Sequence, residues 1–265
     1  MKSRLLLVVM ILSAASTEAQ LASSPVKPAE VPAKASYATV PFVGCESDGQ
    51  VGPLKAPMGQ SKRVEISEGA ALRLAYYKAK YGFGVLAPRG WHCFSIYGSS
   101  GESLFVSPDS IDTKSLFSSE WEGFSAQVIQ VSVSYGGTSG RFQVAKTIAR
   151  VFPAYTSFVQ NVIAEGIETA SDFPTGPYPG DKLKYRGTRV VEFETPPNTK
   201  GLGTDSRLRS TPSPIGGVEI LFGEEPNLLQ LAMRIPDSNS EIYRIIVEQV
   251  ESDVAQVKND LSSAR

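Results

Sequence analysis

The chain has 265 residues, 42% of them hydrophobic and 20% charged, which is enough apolar material for one sizeable globular core. Its 26 basic and 27 acidic side chains give a formal net charge of −1, and neither sign gathers into a block, so no nucleic-acid partner is expected. One histidine and two cysteines fall short of the roughly four Cys or His ligands of a structural zinc site, so neither a metal nor another cofactor is expected.

Lys2 and Arg4 precede an apolar run from Leu5 to Leu12, followed by small residues and a small-x-small site at Thr17-Glu18-Ala19. This is the layout of a cleaved export signal over residues 1–19. The run is far shorter than the ~20 residues of a membrane-spanning helix. The expectation is a soluble exported protein, periplasmic or secreted, with no transmembrane segment in its mature chain. Residues 20–41 carry Pro25, Pro28, Pro32 and Pro41 among alanines and serines and read as a flexible leader. A single α+β globular domain is then expected over residues 42–265.

Turn residues dominate from Phe42 to Lys62, an irregular segment pinned by Cys45. An even cysteine count in an exported chain predicts a disulfide between Cys45 and Cys93, and no CxxC pair suggests redox work instead. Its loop of about 49 residues would contribute about 4 kcal/mol in the chain-entropy model. Residues 68–79 carry both signals: Ala70, Ala71, Leu72 and Ala75 favour helix, while Leu72, Leu74 and Tyr76 alternate like a strand. After Val85-Leu86, the runs Trp91 to Tyr97 and Leu104 to Val106 form a hairpin about Gly98-Ser99-Ser100-Gly101.

From Ala126 to Tyr135 the apolar Ile129, Val131 and Val133 alternate with Gln130, Ser132 and Ser134, the pattern of an antiparallel strand with one wet face. The period turns helical at Val144, Ala145, Ile148 and Phe152, and Pro153 opens a second helix that Gly166 ends. Strands follow at 189–195, 218–222 and 228–235. Between Thr195 and Gly216 lie four prolines and Lys200, Arg207 and Arg209, a stretch read as disordered or a simple excursion. The chain closes with a capping box at Ser238-Asn239-Ser240-Glu241 and an amphipathic helix. Its stripe of Ile242, Ile245, Ile246, Val250, Val254, Val257 and Leu261 is expected to pack on the sheet.

No GxSxG elbow is present, and the one SxxK, Ser24 to Lys27, lies in the leader. His92 and Cys93 are consecutive on a strand and point to opposite faces, so they form no dyad. Glu192 with Glu194, and Glu165 with Glu168, are carboxylate pairs at a spacing that glycan cleavage could use, and solvated surface is the plainer reading of both. Gly137, Thr138, Ser139 and Arg141 lie where a strand meets a helix N-terminus, a candidate anion site without the lysine and hydroxyl order of a P-loop. Arg89, Trp91, His92 and Tyr97 offer a cation, aromatic rings and an imidazole beside the disulfide, a candidate binding surface.

The segments Gly44-Cys45-Glu46-Ser47-Asp48-Gly49-Gln50 and Ala87-Pro88-Arg89-Gly90-Trp91-His92-Cys93 resemble those of exported bacterial proteins of unknown function. The resemblance implies export and a paired cysteine, and brings no activity. The sequence leans away from an enzyme. The function expected is non-catalytic binding or envelope-accessory work, with an unknown small ligand or an envelope protein as partner. The alternative is an envelope hydrolase acting on glycan or peptide through His92 or a carboxylate pair.

Overall fold

The computed structural model describes residues 36–236 and 241–263, with side chains as far as Val257. The export signal, nearly all of the leader, the Leu261 side chain and most of the capping box lie outside the described residues. The α+β class holds, with sheets, helices and the Cys45–Cys93 disulfide at a Cα separation of 5.4 Å.

The chain passes from one sheet to another at Cys45. Before it, β1 (Tyr37–Gly44) belongs to a small sheet with β3 (Ser61–Glu65), β4 (Leu74–Lys78) and β5 (Val85–Pro88), ordered β3-β1-β4-β5. After it, β2 (Glu46–Gly49) forms one edge of an eight-stranded sheet with β6 (His92–Gly98), β7 (Gly101–Ser107), β8 (Val128–Ser134), β9 (Lys182–Arg186), β10 (Val190–Thr195), β11 (Ile215–Phe222) and β12 (Asn227–Arg234). Their order is β2-β6-β7-β8-β12-β11-β10-β9. The β1–β4 and β2–β6 pairs are parallel and the others described are antiparallel, so both sheets are mixed. The disulfide fastens the crossing point to β6.

Three earlier readings change here. β1 begins at Tyr37, inside the segment read as leader, because Ala38 and Val40 turn toward the core while Tyr37 and Thr39 face out. The two signals of residues 68–79 are both real: Ser67 Oγ caps the short helix α1 (Glu68–Arg73), and strand β4 starts at the next residue. The stretch 196–214 is ordered. It forms a 3₁₀ turn at Leu202–Asp205 and buries Leu202 and Leu208, while Asp181 Oδ2 accepts from Leu202 N at 2.8 Å. Arg234, buried on β12, donates to the backbone carbonyls of Phe124, Ala126 and Arg209 and holds that stretch to the 124–126 segment.

Residues of opposite parity on the central strands build two cores. Ile129, Val131, Leu229, Leu231 and Met233 pack against the small sheet and helix α5 (Glu241–Ser263). The apolar stripe of α5, including Ile246 and Val250, lies in that core as its spacing predicts. Along β5, the open edge of the small sheet, Gln249 accepts from Leu86 N at 2.8 Å and donates to Gly84 O at 3.4 Å. A helix side chain thus supplies bonds that a further strand would have made. On the other face, α3 (Arg141–Val151) and α4 (Thr156–Ala164) cover Val128, Val191, Leu221 and Leu228. The short α2 (Thr113–Leu116) closes a third cluster with Phe94 and Phe105.

Candidate functional site

The two helices leave part of their face of the large sheet uncovered over β7, β8 and β12. There a groove of about 370 Å³ lies between α3, Phe117 and the 205–207 stretch. Its floor is polar. Ser103, Ser132, Gln230 and Glu219 stand opposite one another in register across β7, β8, β12 and β11. Ser103 Oγ and Ser132 Oγ are 2.8 Å apart, and Gln130 Nε2 donates to Ser132 Oγ at 2.7 Å. Gln130 Oε1 accepts from Arg207 N at 2.8 Å, which ties the ordered stretch to the floor and leaves Gln130 only 3% exposed. The face read as wet is thus roofed in part by residues far along the chain.

A second basin of about 250 Å³ continues the groove and shares Gln143 and Asp205 with it. It adds Lys146, Arg150, Tyr178 and Lys200. Tyr178 OH donates to Asp205 Oδ1 at 2.8 Å, and the Arg150 guanidinium sits 4.1 Å from the Tyr178 ring centre. At the other end, the Phe117 ring is 54% exposed, and Arg207 lies over the Trp121 ring.

Asp172, at the rim of the second basin, is held below the usual carboxylate range by the hydrogen bonds it accepts from Thr169, whereas the carboxyls nearer the floor are pushed up. Desolvation raises Asp181 and Asp205, against the pull of their hydrogen-bond donors and nearby cations. Glu219 is 0% exposed, and burial, with the fields of Asp205 and Asp181, pushes it well above the usual carboxylate range. Its Oε1 accepts from Gln230 Nε2 at 2.7 Å, while Oε2 has no hydrogen-bond partner. Burial thus shifts this carboxyl toward its protonated form.

No family model, curated protein or solved structure matches the chain. The groove has to be read from its own chemistry.

The residues singled out in the sequence lie mostly elsewhere. The Arg89 guanidinium donates to the carbonyls of Ala71 and Leu74, capping the end of α1. Trp91 packs at the edge of the inter-sheet core, and its backbone N–H donates to Tyr77 OH at 3.1 Å. His92 is exposed. Tyr97 alone of these four borders the groove, and its hydroxyl donates to Gly52 O at 2.6 Å. At the candidate anion site, Arg141 forms a forked ion pair with Glu165, and a Cβ added at Gly137 would stand 2.8 Å from a Glu225 carboxylate oxygen. Gly140 N donates to Thr138 Oγ1, and Ser139 is exposed. The chain's own carboxylates surround that turn. Lys146 pairs with Glu168, Lys182 with Glu194, and Lys184 and Arg186 with Glu192, so both carboxylate pairs are committed to neighbouring cations.

Sequence reasoning passed over Gln130, Gln143, Asp205 and Gln230. One signal was available: Glu219 is the single charge in the strand run Ile215-Gly216-Gly217-Val218-Glu219-Ile220-Leu221-Phe222, and an acid inside such a run needs a reason.

Proposed function

We propose that the protein is an exported, non-catalytic binding protein whose groove takes a hydroxyl-rich ligand of the oligosaccharide class. The observation that carries this reading is the row Ser103, Ser132, Gln230 and Glu219, hydrogen-bonded in part to Gln130 of the next row, on a sheet face otherwise packed largely with apolar side chains. Amides and hydroxyls both donate and accept, which matches the alternating donors and acceptors of sugar hydroxyls. The exposed Phe117 ring offers an apolar face at the groove's end, and the shared Gln143 and Asp205 make a continuous track for more than one sugar unit. In the second basin Arg150 and Lys200, outside the ion pairs of the described residues, suit an acidic substituent, while Asp172 and Asp205 share the lining. Export is supported by the disulfide, which persists in oxidising compartments.

Hydrolysis of a glycan needs two carboxyl groups across the bond. Asp205 borders the groove and Asp172 the basin beyond it, where Asp172 Oδ2 accepts from Thr169 N and Oγ1, whereas Glu219 is sealed beneath the floor and the Glu102 side chain belongs to the opposite face. Binding without turnover is the better match.

The test is a glycan microarray probed with the disulfide-bonded protein and with the Gln143→Ala/Phe117→Ala variant. Retention of a set of glycans by the native protein, falling about tenfold or more in the variant, supports the reading. No glycan retained, or equal retention by the variant, overturns it.

A further inference from the structure

On the opposite face of the large sheet, at one end of the space between the two sheets and α5, lies a separate cavity of about 480 Å³, within the size range of small-molecule sites. Phe83, Val133, Phe222 and Val257 form its apolar side, and Phe83 meets Phe222 edge to face at 5.8 Å. Lys62, Tyr76, Lys78, Glu102, Tyr135 and Asp253 form its polar end.

The hydrogen bonds of that end are unevenly shared. Asp253 Oδ2 accepts from Tyr76 OH at 2.9 Å and from Gln249 Nε2 at 2.8 Å, and Lys62 stands 3.7 Å from Oδ1. Glu102 Oε1 accepts from Tyr135 OH at 2.8 Å. Lys78, half-buried, donates to the Gly82 carbonyl and takes part in none of the ion pairs of the described residues. An ammonium carries three donors, so two of its three are uncommitted. Desolvation lowers the Lys78 pKa, opposed by Glu102 and Asp253, so the charged amine would gain from an anionic partner. Gly82 and Gly84 let the polar wall close in on the backbone: a Cβ at Gly82 would stand 2.5 Å from the Glu102 side chain, and one at Gly84 2.4 Å from the Tyr76 ring.

We infer that this cavity is a second ligand site, for a small monocarboxylate with an apolar body, its carboxylate on Lys78 and its body against Phe83 and Phe222. A single charge is indicated because Lys78, among the described residues, has no carboxylate within ion-pair distance, while Glu102 and Asp253 nearby would repel a dianion such as a phosphate monoester. An amine would meet Lys62 and Lys78 and carboxylates that already hold donors.

Calorimetric titration of the disulfide-bonded protein with decanoate and 3-phenylpropionate, each against the matching alcohol and primary amine, tests the assignment. At least one acid is expected to bind about tenfold or more tightly than its alcohol and amine. Lys78→Met should remove that preference, Lys78→Arg should restore part of it, and Val257→Trp should block both acids while leaving the polar end intact. The groove variant Gln143→Ala/Phe117→Ala should bind the acids as the native protein does, which separates this site from the glycan reading. Neither acid binding, an alcohol or amine binding as well as its acid, or Lys78→Met and Val257→Trp both leaving affinity unchanged would overturn it.

Discussion

The two faces of the large sheet are built from alternate residues of the same strands, yet they solve different problems. On the face toward the small sheet, Ile129, Val131, Leu229 and Leu231 are packed dry between two layers. On the other, Gln130, Ser132 and Gln230 sit among Val128, Leu228 and Ala232 and are satisfied by one another and by a stretch from 70 or more residues away. A polar group taken from water gains little net stability even when bonded, and costs about 1–3 kcal/mol when left unbonded. Stability alone would favour apolar residues in that row. The inter-sheet face holds the fold, and the polar row forms the surface on which the proposed ligand would rest.

The largest expected effect lies on the inter-sheet face. Leu231→Ala should cost about 2–5 kcal/mol through lost burial and a cavity, read from the urea midpoint, while the folded fraction still binds glycan. A loss below about 1 kcal/mol would remove the contrast between the faces. Gln249→Ala comes next. It strips Leu86 N and Gly84 O of their partner along the buried edge of β5, and should cost about 1–3 kcal/mol with groove binding intact.

The groove face should show itself through pH. A carboxyl whose pKa is raised by folding stabilises the native state while both states are protonated, below the unfolded pKa, and that contribution is lost as pH rises through the folded pKa. Glu219, Asp181 and Asp205 all shift in this direction, Glu219 furthest. Urea midpoints should therefore decline from pH 5 toward pH 8 more steeply in the native protein than in Glu219→Gln. Parallel curves would mean that Glu219 is not titrating against burial. The smallest effect is expected at the α3 N-terminus. The Arg141–Glu165 pair is partly exposed, and Arg141→Ala should change stability by about 1 kcal/mol or less, with a shift of more than about 2 kcal/mol contradicting its surface role.

Much of the inter-sheet face was legible in the sequence, because period-two alternation on β8 and the helical stripe on α5 each depend only on residues close in the chain. The disulfide followed from an even cysteine count. The hidden strands have local causes: Pro-rich surroundings obscured β1, Asp48-Gly49 made β2 read as a turn, and β9 (Lys182-Leu183-Lys184-Tyr185-Arg186) is charged as an exposed sheet edge should be. The groove was not legible because Ser103, Gln130, Gln143, Asp205 and Gln230 come from five separate segments, and only tertiary structure brings them together. The polar half of β8 was visible and was read as wet. What covers it is a proline-rich stretch pinned by Arg234, which nothing in its local sequence announces.

The most direct measurement is the paired replacement Glu219→Leu/Gln230→Leu, followed by urea unfolding and the glycan array on the same preparation. Removing both partners of a buried hydrogen bond in favour of apolar groups is nearly neutral or stabilising. The account expects stability equal to or above that of the native protein, together with loss of glycan retention. A variant that loses several kcal/mol would show that the polar row serves the fold, and one that keeps its stability and still retains the same glycans would show that the row serves no glycan ligand; either contradicts the account.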